Sequence, residues 1–412
     1  MDPILSNSKD VNMYFMDWKK MYPKPYDKFK VSPYTKTRVI LMNGTEFESN
    51  WFLHQFARNC NNEEIKREIA VVRSQEQQQQ KRISCLKPLN ESILEATISY
   101  EQLAIDLTAT LAKHEKDKNV KAALDFALLE DFDHLYRFAN MLKIDQGIDA
   151  DMIVGKFTEI MPGRPTIAHH RYPMDNVKLN IDNKTADTFT KLCANIITAA
   201  EQQTMNYYMN VAQLYKNHLG RQLFAEIGMV EEEHVTQYES LKDPNATWLE
   251  MWVMHEYTEC YLYYSMMNDE TDEYIRCIWE EHYEMEVAHL KKAVEMLEKY
   301  EGKTYKDVCP DSEFPKLLKL GENKEYVRKV LEKTVDNTGN REWYISVKKL
   351  PKDADFFSYQ EIVNHSEKDV ASHVIIEKSI YKRGKDYRYQ ESKNPISELN
   401  DRKNDNTSVG RK

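Results

Sequence analysis

The chain has 412 residues, enough for two or three domains, and carries 57 Lys+Arg against 67 Asp+Glu for a formal net charge of -10. An acidic balance with no offsetting basic face argues against nucleic acid as a partner, and no apolar run reaches the length of a membrane span. Eleven glycines are too few for a protein built on hairpins or glycine-rich phosphate loops, so the composition favours long helices.

Residues 1–45 form an N-terminal extension rich in Tyr, Lys and Pro. Its opening lacks the basic and apolar regions of a secretory signal. Within it, Thr37–Met42 reads as a short strand closed by the turn signal Asn43-Gly44. Helical patterning then dominates: the spacing predicts helices over 46–60, 63–86, 91–113 and 119–143, and again over 184–216, 219–242, 246–267 and 271–300. Between these sets, residues 144–183 contain Met161-Pro162-Gly163-Arg164-Pro165 and cannot be one helix. The adjacent His169-His170 is expected to face solvent. Residues 301–380 read as a mixed C-terminal extension, with a helix near Lys324–Lys333 and a strand at Trp343–Val347. Residues 381–412 read as a polar, disordered tail. Six cysteines without a Cys-x-x-Cys exclude a rubredoxin-like or zinc-ribbon module and point to the cytoplasm.

The two helical sets are related. Laid over one another at an offset of 155, residues 46–142 and 201–297 align without a gap, with 18 of 97 positions identical. Glu46 meets Glu201, Glu76 meets Glu231, Glu101 meets Glu256 and His134 meets His289. Asp131 meets Glu286, while Gln79 stands where the second set has His234. The fold class expected is all-α: two tandem four-helix repeats, 46–143 and 184–300, joined by the crossover.

The chemistry-bearing residues sit at regular intervals. Glu201, Glu231, Glu256 and Glu286 are separated by 30, 25 and 30 residues. Glu231-x-x-His234 and Glu286-x-x-His289 each place a carboxylate and an imidazole on one helix face. Turns near Lys216 and Thr271 bring each single Glu level with its Glu-x-x-His partner, because rise per residue is constant. Surrounding Met229, Trp252, Met254 and Trp279 put these carboxylates on apolar faces, where a metal pair would offset their burial.

At Ala199–Tyr208, Glu231–His234, His255–Glu259 and Ile278–His289 the sequence resembles the ferritin-like superfamily, most nearly its rubrerythrin type. That resemblance implies helical bundles with a carboxylate-bridged dimetal centre, two Fe or Mn ions per site. Its ligands would come from Glu201, Glu231, His234, Glu256, Glu286 and His289, joined by Glu101, Asp131 and His134, with Glu259 an additional or shifting ligand. Two groupings are open: a site within the second repeat, or sites shared between repeats. In the shared form, Glu101 and Asp131/His134 meet Glu201 and Glu231/His234, while Glu46 and Glu76/Gln79 meet Glu256 and Glu286/His289. Family topology requires a long crossover between second and third helices, and only 144–183 supplies one. The resemblance further implies reaction with O2 or peroxide as an oxidase- or peroxidase-type oxidoreductase, fed by an external electron-donor protein. Manganese catalase-like peroxide dismutation and a non-catalytic iron- or partner-binding scaffold are the alternatives; a homodimer is compatible with either.

Overall fold

The computed structural model describes residues 1–384 and 393–394; most of the tail expected over 381–412 lies outside the described residues. The protein is all-α, with a single two-stranded sheet among the described residues. In chain order the helices are α1 (Pro33–Asn59), α2 (Glu63–Ser84), α3 (Ile93–His114), α4 (Lys118–Gln146), the single turn α5 (Asp151–Val154), α6 (Thr188–Leu214), α7 (His218–Glu239), α8 (Trp248–Asp269), α9 (Glu273–Glu301), α10 (Tyr305–Val308), α11 (Lys324–Thr334), α12 (Asp355–Val363) and α13 (Ala371–Arg383). Strands β1 (Asn337–Asn340) and β2 (Trp343–Ser346) pair antiparallel, Asn337 opposite Ser346. The strand expected near 343 is thus present, and α11 lies where a helix was expected.

Every boundary of α1–α4 recurs 155 residues later in α6–α9, in helices of 27, 22, 22 and 29 residues. The capping chemistry explains much of this. Asn62 and Asn217 cap α2 and α7; Asp117 and Asp272 cap α4 and α9. Ser92 with Glu95, and Thr247 with Glu250, close capping boxes on α3 and α8. Gly147 and Gly302, both left-handed (φ 73° and 65°), stop α4 and α9.

Two expectations need correction. Residues 33–45 are not part of an irregular extension, and Thr37–Met42 is helical, not a strand. Ser32 caps α1 with Pro33 at its first turn, and Thr37, Val39, Leu41 and Met42 are buried. That burial outweighs the strand propensity of β-branched residues. The tandem repeats also do not form two successive bundles. One compact unit comprises 1–91, 181–200 and 242–320; the other comprises 92–180, 201–241 and 321–412. The first contains the α1–α2 and α8–α9 hairpins, and the second contains α3–α4, the later part of α6, and α7. The physical reason is loop length. Residues 240–247 are too few to carry α8 across a bundle, so the chain leaves one unit for the other there.

In the second unit the α3–α4 hairpin is followed by the long segment 147–180 and then by the α6–α7 hairpin. Its core joins Leu128, Phe132, Leu135 and Phe138 of α4 to Phe224 and Ile227 of α7, with Val327 and Leu331 of α11 and Ile375 of α13. Helices α11 and α13 therefore cover this bundle. Residues 158–171 of the crossover segment are themselves buried. A side-chain carbon at Gly163 would lie 3.2 Å from the Leu129 carbonyl and 3.1 Å from the Phe132 ring. Glycine at this position permits close approach to α4. Gly163→Val should lower unfolding free energy by about 1–3 kcal/mol through overpacking, measured by urea denaturation; an unchanged midpoint would refute the close packing.

Candidate metal centres

In the second unit, α3, α4, α6 and α7 each present polar side chains to one buried layer. Glu101, Asp131, His134, Glu231 and His234 are fully buried and Glu201 is 1% exposed. Their ligand atoms form two overlapping quartets. Glu101, Asp131, His134 and Glu231 make one; Asp131, Glu201, Glu231 and His234 make the other, each within 4.8 Å. Asp131 and Glu231 belong to both. Each quartet adds one further carboxylate and one imidazole. Such residues could hold two cations, with Asp131 and Glu231 common to both positions and Glu101/His134 and Glu201/His234 each belonging to one.

The hydrogen bonding fits this reading. His134 Nδ1 is 3.0 Å from Glu231 Oε1, and His234 Nδ1 is 3.1 Å from Glu231 Oε2 and 3.4 Å from Asp131 Oδ1. Both oxygens of Asp131 and of Glu201, and Oε2 of Glu101, find no hydrogen-bond partner among the described residues. Buried carboxylate oxygens in that state are costly. Four carboxylates with two neutral imidazoles balance the charge of two divalent cations, so the residues present suit such a pair. Tyr208 donates its hydroxyl to the other oxygen of Glu101.

A supporting layer surrounds the cluster. His234 Nε2 is 2.5 Å from Glu130 Oε2, and Glu130 Oε1 accepts from Arg171 Nη1 at 2.7 Å and Arg164 Nη1 at 3.3 Å. A carboxylate behind the imidazole fixes which nitrogen faces the cluster. Asp133 takes Arg137 Nε at 2.9 Å and the backbone N–H groups of Gly163 and Thr166. The crossover is therefore the outer wall of the centre. His169 and His170, expected in solvent, are buried: His169 Nε2 meets the Arg164 carbonyl at 2.7 Å, and His170 faces Glu233. The wrapping of 161–171 over α4 buries them, which local sequence does not reveal. Glu130, absent from the sequence-level candidates, carries one available signal: Glu130-Asp131-x-Asp133 is three acids within an apolar run.

The first unit assembles a related but different cluster. Glu76, Glu256, Glu286 and His289 form a quartet within 4.8 Å, and Glu46, Glu76 and Glu259 a triplet. All are at most 1% exposed. His289 Nδ1 lies 3.0 Å from Glu76 Oε1 and 3.2 Å from Glu286 Oε2, while its Nε2 contacts Gln75 Oε1 at 2.8 Å. Gln75 is held by donation to the Val11 carbonyl, 2.7 Å away, so the N-terminal segment supports this histidine. Gln79 donates to Glu286, Tyr263 to Glu46, and Trp252 Nε1 to Glu256 at 2.5 Å.

All nine sequence-level candidates are thus buried in clusters, but a single site within the second repeat is not formed. Glu201, Glu231 and His234 join Glu101, Asp131 and His134; Glu256, Glu286 and His289 join Glu46 and Glu76. The interleaving of hairpins described above is the cause. Neighbouring acids have other roles: Glu232 is exposed, Glu233 meets Arg171, and His255 turns to Glu48 at 3.0 Å.

Electrostatics follow from burial. It raises Glu101, with the charge of Glu231 adding to the effect, and raises Asp131, with Glu201 adding. Burial carries Glu201 to about 8 despite the His234 imidazole 3.6 Å away. For Glu231 burial is outweighed by His134 and His234, which hold it at about 2. His234 is raised against burial by Asp131 and Glu130, and His289 by Glu286 and Glu76. Burial likewise raises Glu46, Glu256, Glu259 and Glu286.

Comparisons of the chain with family models, curated proteins and solved structures return no match.

Two outcomes are expected. A raised carboxylate favours the native state in its protonated form, and a raised imidazole does the same, so both contributions fade as pH rises. The opposing contribution of Glu231 is fully present above its usual 4.5. Without metal, the melting temperature relative to that of Glu201→Gln should therefore fall from pH 4.5 toward 8, the span over which Glu201 titrates. A curve that is flat or rising there contradicts these environments. Second, Glu130→Gln should weaken metal binding by roughly 10- to 100-fold, measured by chelator competition, with helical content retained; undiminished affinity would remove Glu130 from the supporting layer.

Proposed function

We propose that the second unit is a ferritin-like dimetal carboxylate centre, holding two Fe or Mn ions and reacting with O2 or peroxide as an oxidoreductase. The observation that carries this is the pair of quartets sharing Asp131 and Glu231, each completed by one carboxylate and one imidazole. The long segment between the α3–α4 and α6–α7 hairpins supports the ferritin-like topology, and the common spacing of α1–α4 and α6–α9 supports an internal duplication.

A bound pair of these ions would supply two adjacent one-electron couples for reducing dioxygen or peroxide. The chain's residues do the rest. Oxygen donors with imidazoles, and no thiolate, suit iron or manganese over a structural zinc. Asp131 and Glu231 would be shared by the two ions, with His134 and His234 each supplying an imidazole to one of them. Glu130, backed by Arg164 and Arg171, keeps His234 Nδ1 turned inward. Tyr208 fixes one oxygen of Glu101 and leaves the other free to bind. Ligand exposures of at most 1% keep bulk water from the cluster. Electrons for an oxidase or peroxidase cycle would come from a donor protein.

The test is anaerobic reconstitution with Fe(II) followed by O2 or peroxide. Substituting Asp131→Ala, His134→Ala or His234→Ala should each abolish the oxidation of Fe(II) bound in the second unit, and should lower the metal content. Retention of full metal content and oxidation by His134→Ala would sink the shared centre. Oxygen release from peroxide without reductant, in the manganese-loaded protein, would replace the oxidase reading with a catalase-like one.

A further inference from the structure

The first unit differs from the second at linked positions. Gln79 stands 155 residues before His234, and Met285 stands 155 residues after Glu130. An imidazole and the carboxylate behind it are thus both replaced, by an amide and a buried thioether. On the same cluster a carboxylate is added, since Glu259 corresponds to Ala104. Neither oxygen of Glu259 has a hydrogen-bond partner among the described residues, nor has either oxygen of Glu76, and Oε2 of Glu46 is likewise unpartnered. These three residues bring ligand atoms within 4.8 Å of one another in a region at most 1% exposed.

We infer that the first unit holds a second, chemically unequal pair of cation positions. One combines Glu76, Glu256, Glu286 and His289. The other is all oxygen, formed by Glu46, Glu76 and Glu259, and takes an oxygen-preferring divalent cation such as Mn2+. Glu76 belongs to both groups and is the bridge between them. With the imidazole absent, the all-oxygen position loses the donor that favours zinc, copper or nickel, and it keeps only hard carboxylates. The amide of Gln79 donates to Glu286, so it orients a carboxylate of the first position. Tyr263 donates to one oxygen of Glu46, leaving the unpartnered Oε2 available. His282 Nδ1 lies 3.0 Å from the Tyr263 hydroxyl, which steadies that arrangement.

The experiment uses the full chain carrying Asp131→Ala and His234→Ala, which disable the other cluster, so the outcome is independent of the function proposed for it. Metal-free protein is titrated with Mn2+ alone, with bound metal quantified by elemental analysis and the ions' interaction read by electron paramagnetic resonance. Two Mn2+ per chain with a spin-coupled spectrum are expected. Adding Glu259→Gln should reduce this to one, with an isolated six-line signal. Gln79→His should restore an imidazole and raise affinity for Zn2+ relative to Mn2+ at least tenfold in competition, which keeps the inference testable if Glu259→Gln fails to fold. One Mn2+ or none in the parent variant, two ions surviving Glu259→Gln, or no change in metal preference with Gln79→His would overturn it.

Discussion

Burying carboxylates together inside a helical core is the constraint on which the rest of this structure depends. In the second unit Glu101, Asp131, Glu201 and Glu231 meet in one layer with two imidazoles and no lysine or arginine among the cluster ligands. Such a layer is unfavourable by itself, because burial penalises each charge and the charges repel one another. The protein answers by spreading compensation outward. His134 and His234 share Glu231, and arginines from the crossover neutralise Glu130 behind the histidine. The remaining buried oxygens, both of Asp131 and of Glu201 and one of Glu101, are left without hydrogen-bond partners among the described residues.

That constraint also explains the segments beyond the repeats. Residues 161–171 deliver two arginines and a tight glycine approach to α4, while α11 and α13 cover the same bundle. In the first unit, the N-terminal segment reaches Gln75 through Val11, and Gln75 holds His289. Extensions that look like appendages in the chain are parts of the walls around the clusters. A dry wall strengthens every electrostatic contact inside it.

The two clusters share a layout but differ in chemistry. The second unit has two histidines, one backed by a carboxylate; the first has one histidine, backed by an amide, and an extra carboxylate. Where the second unit has His234 and Glu130, the first has Gln79 and Met285. Retaining Glu130's counterpart without an imidazole would leave a buried carboxylate with nothing to orient.

Much of this was legible in the chain because it is local. The 155-residue offset and the Glu-x-x-His spacing depend only on backbone geometry and helical rise. They indicated the helical hairpins, apart from the first part of α1, and nine residues that lie in the clusters. Local signals failed where burial decided, as at Thr37–Met42, whose β-branched residues pack into a helix, and at His169-His170, which the crossover covers. Only the tertiary structure chose which hairpins share a unit, since either pairing satisfies the same helical periodicity. Short loops such as 240–247, together with the one long crossover, made that choice, because chain length between hairpins limits which carboxylates can meet.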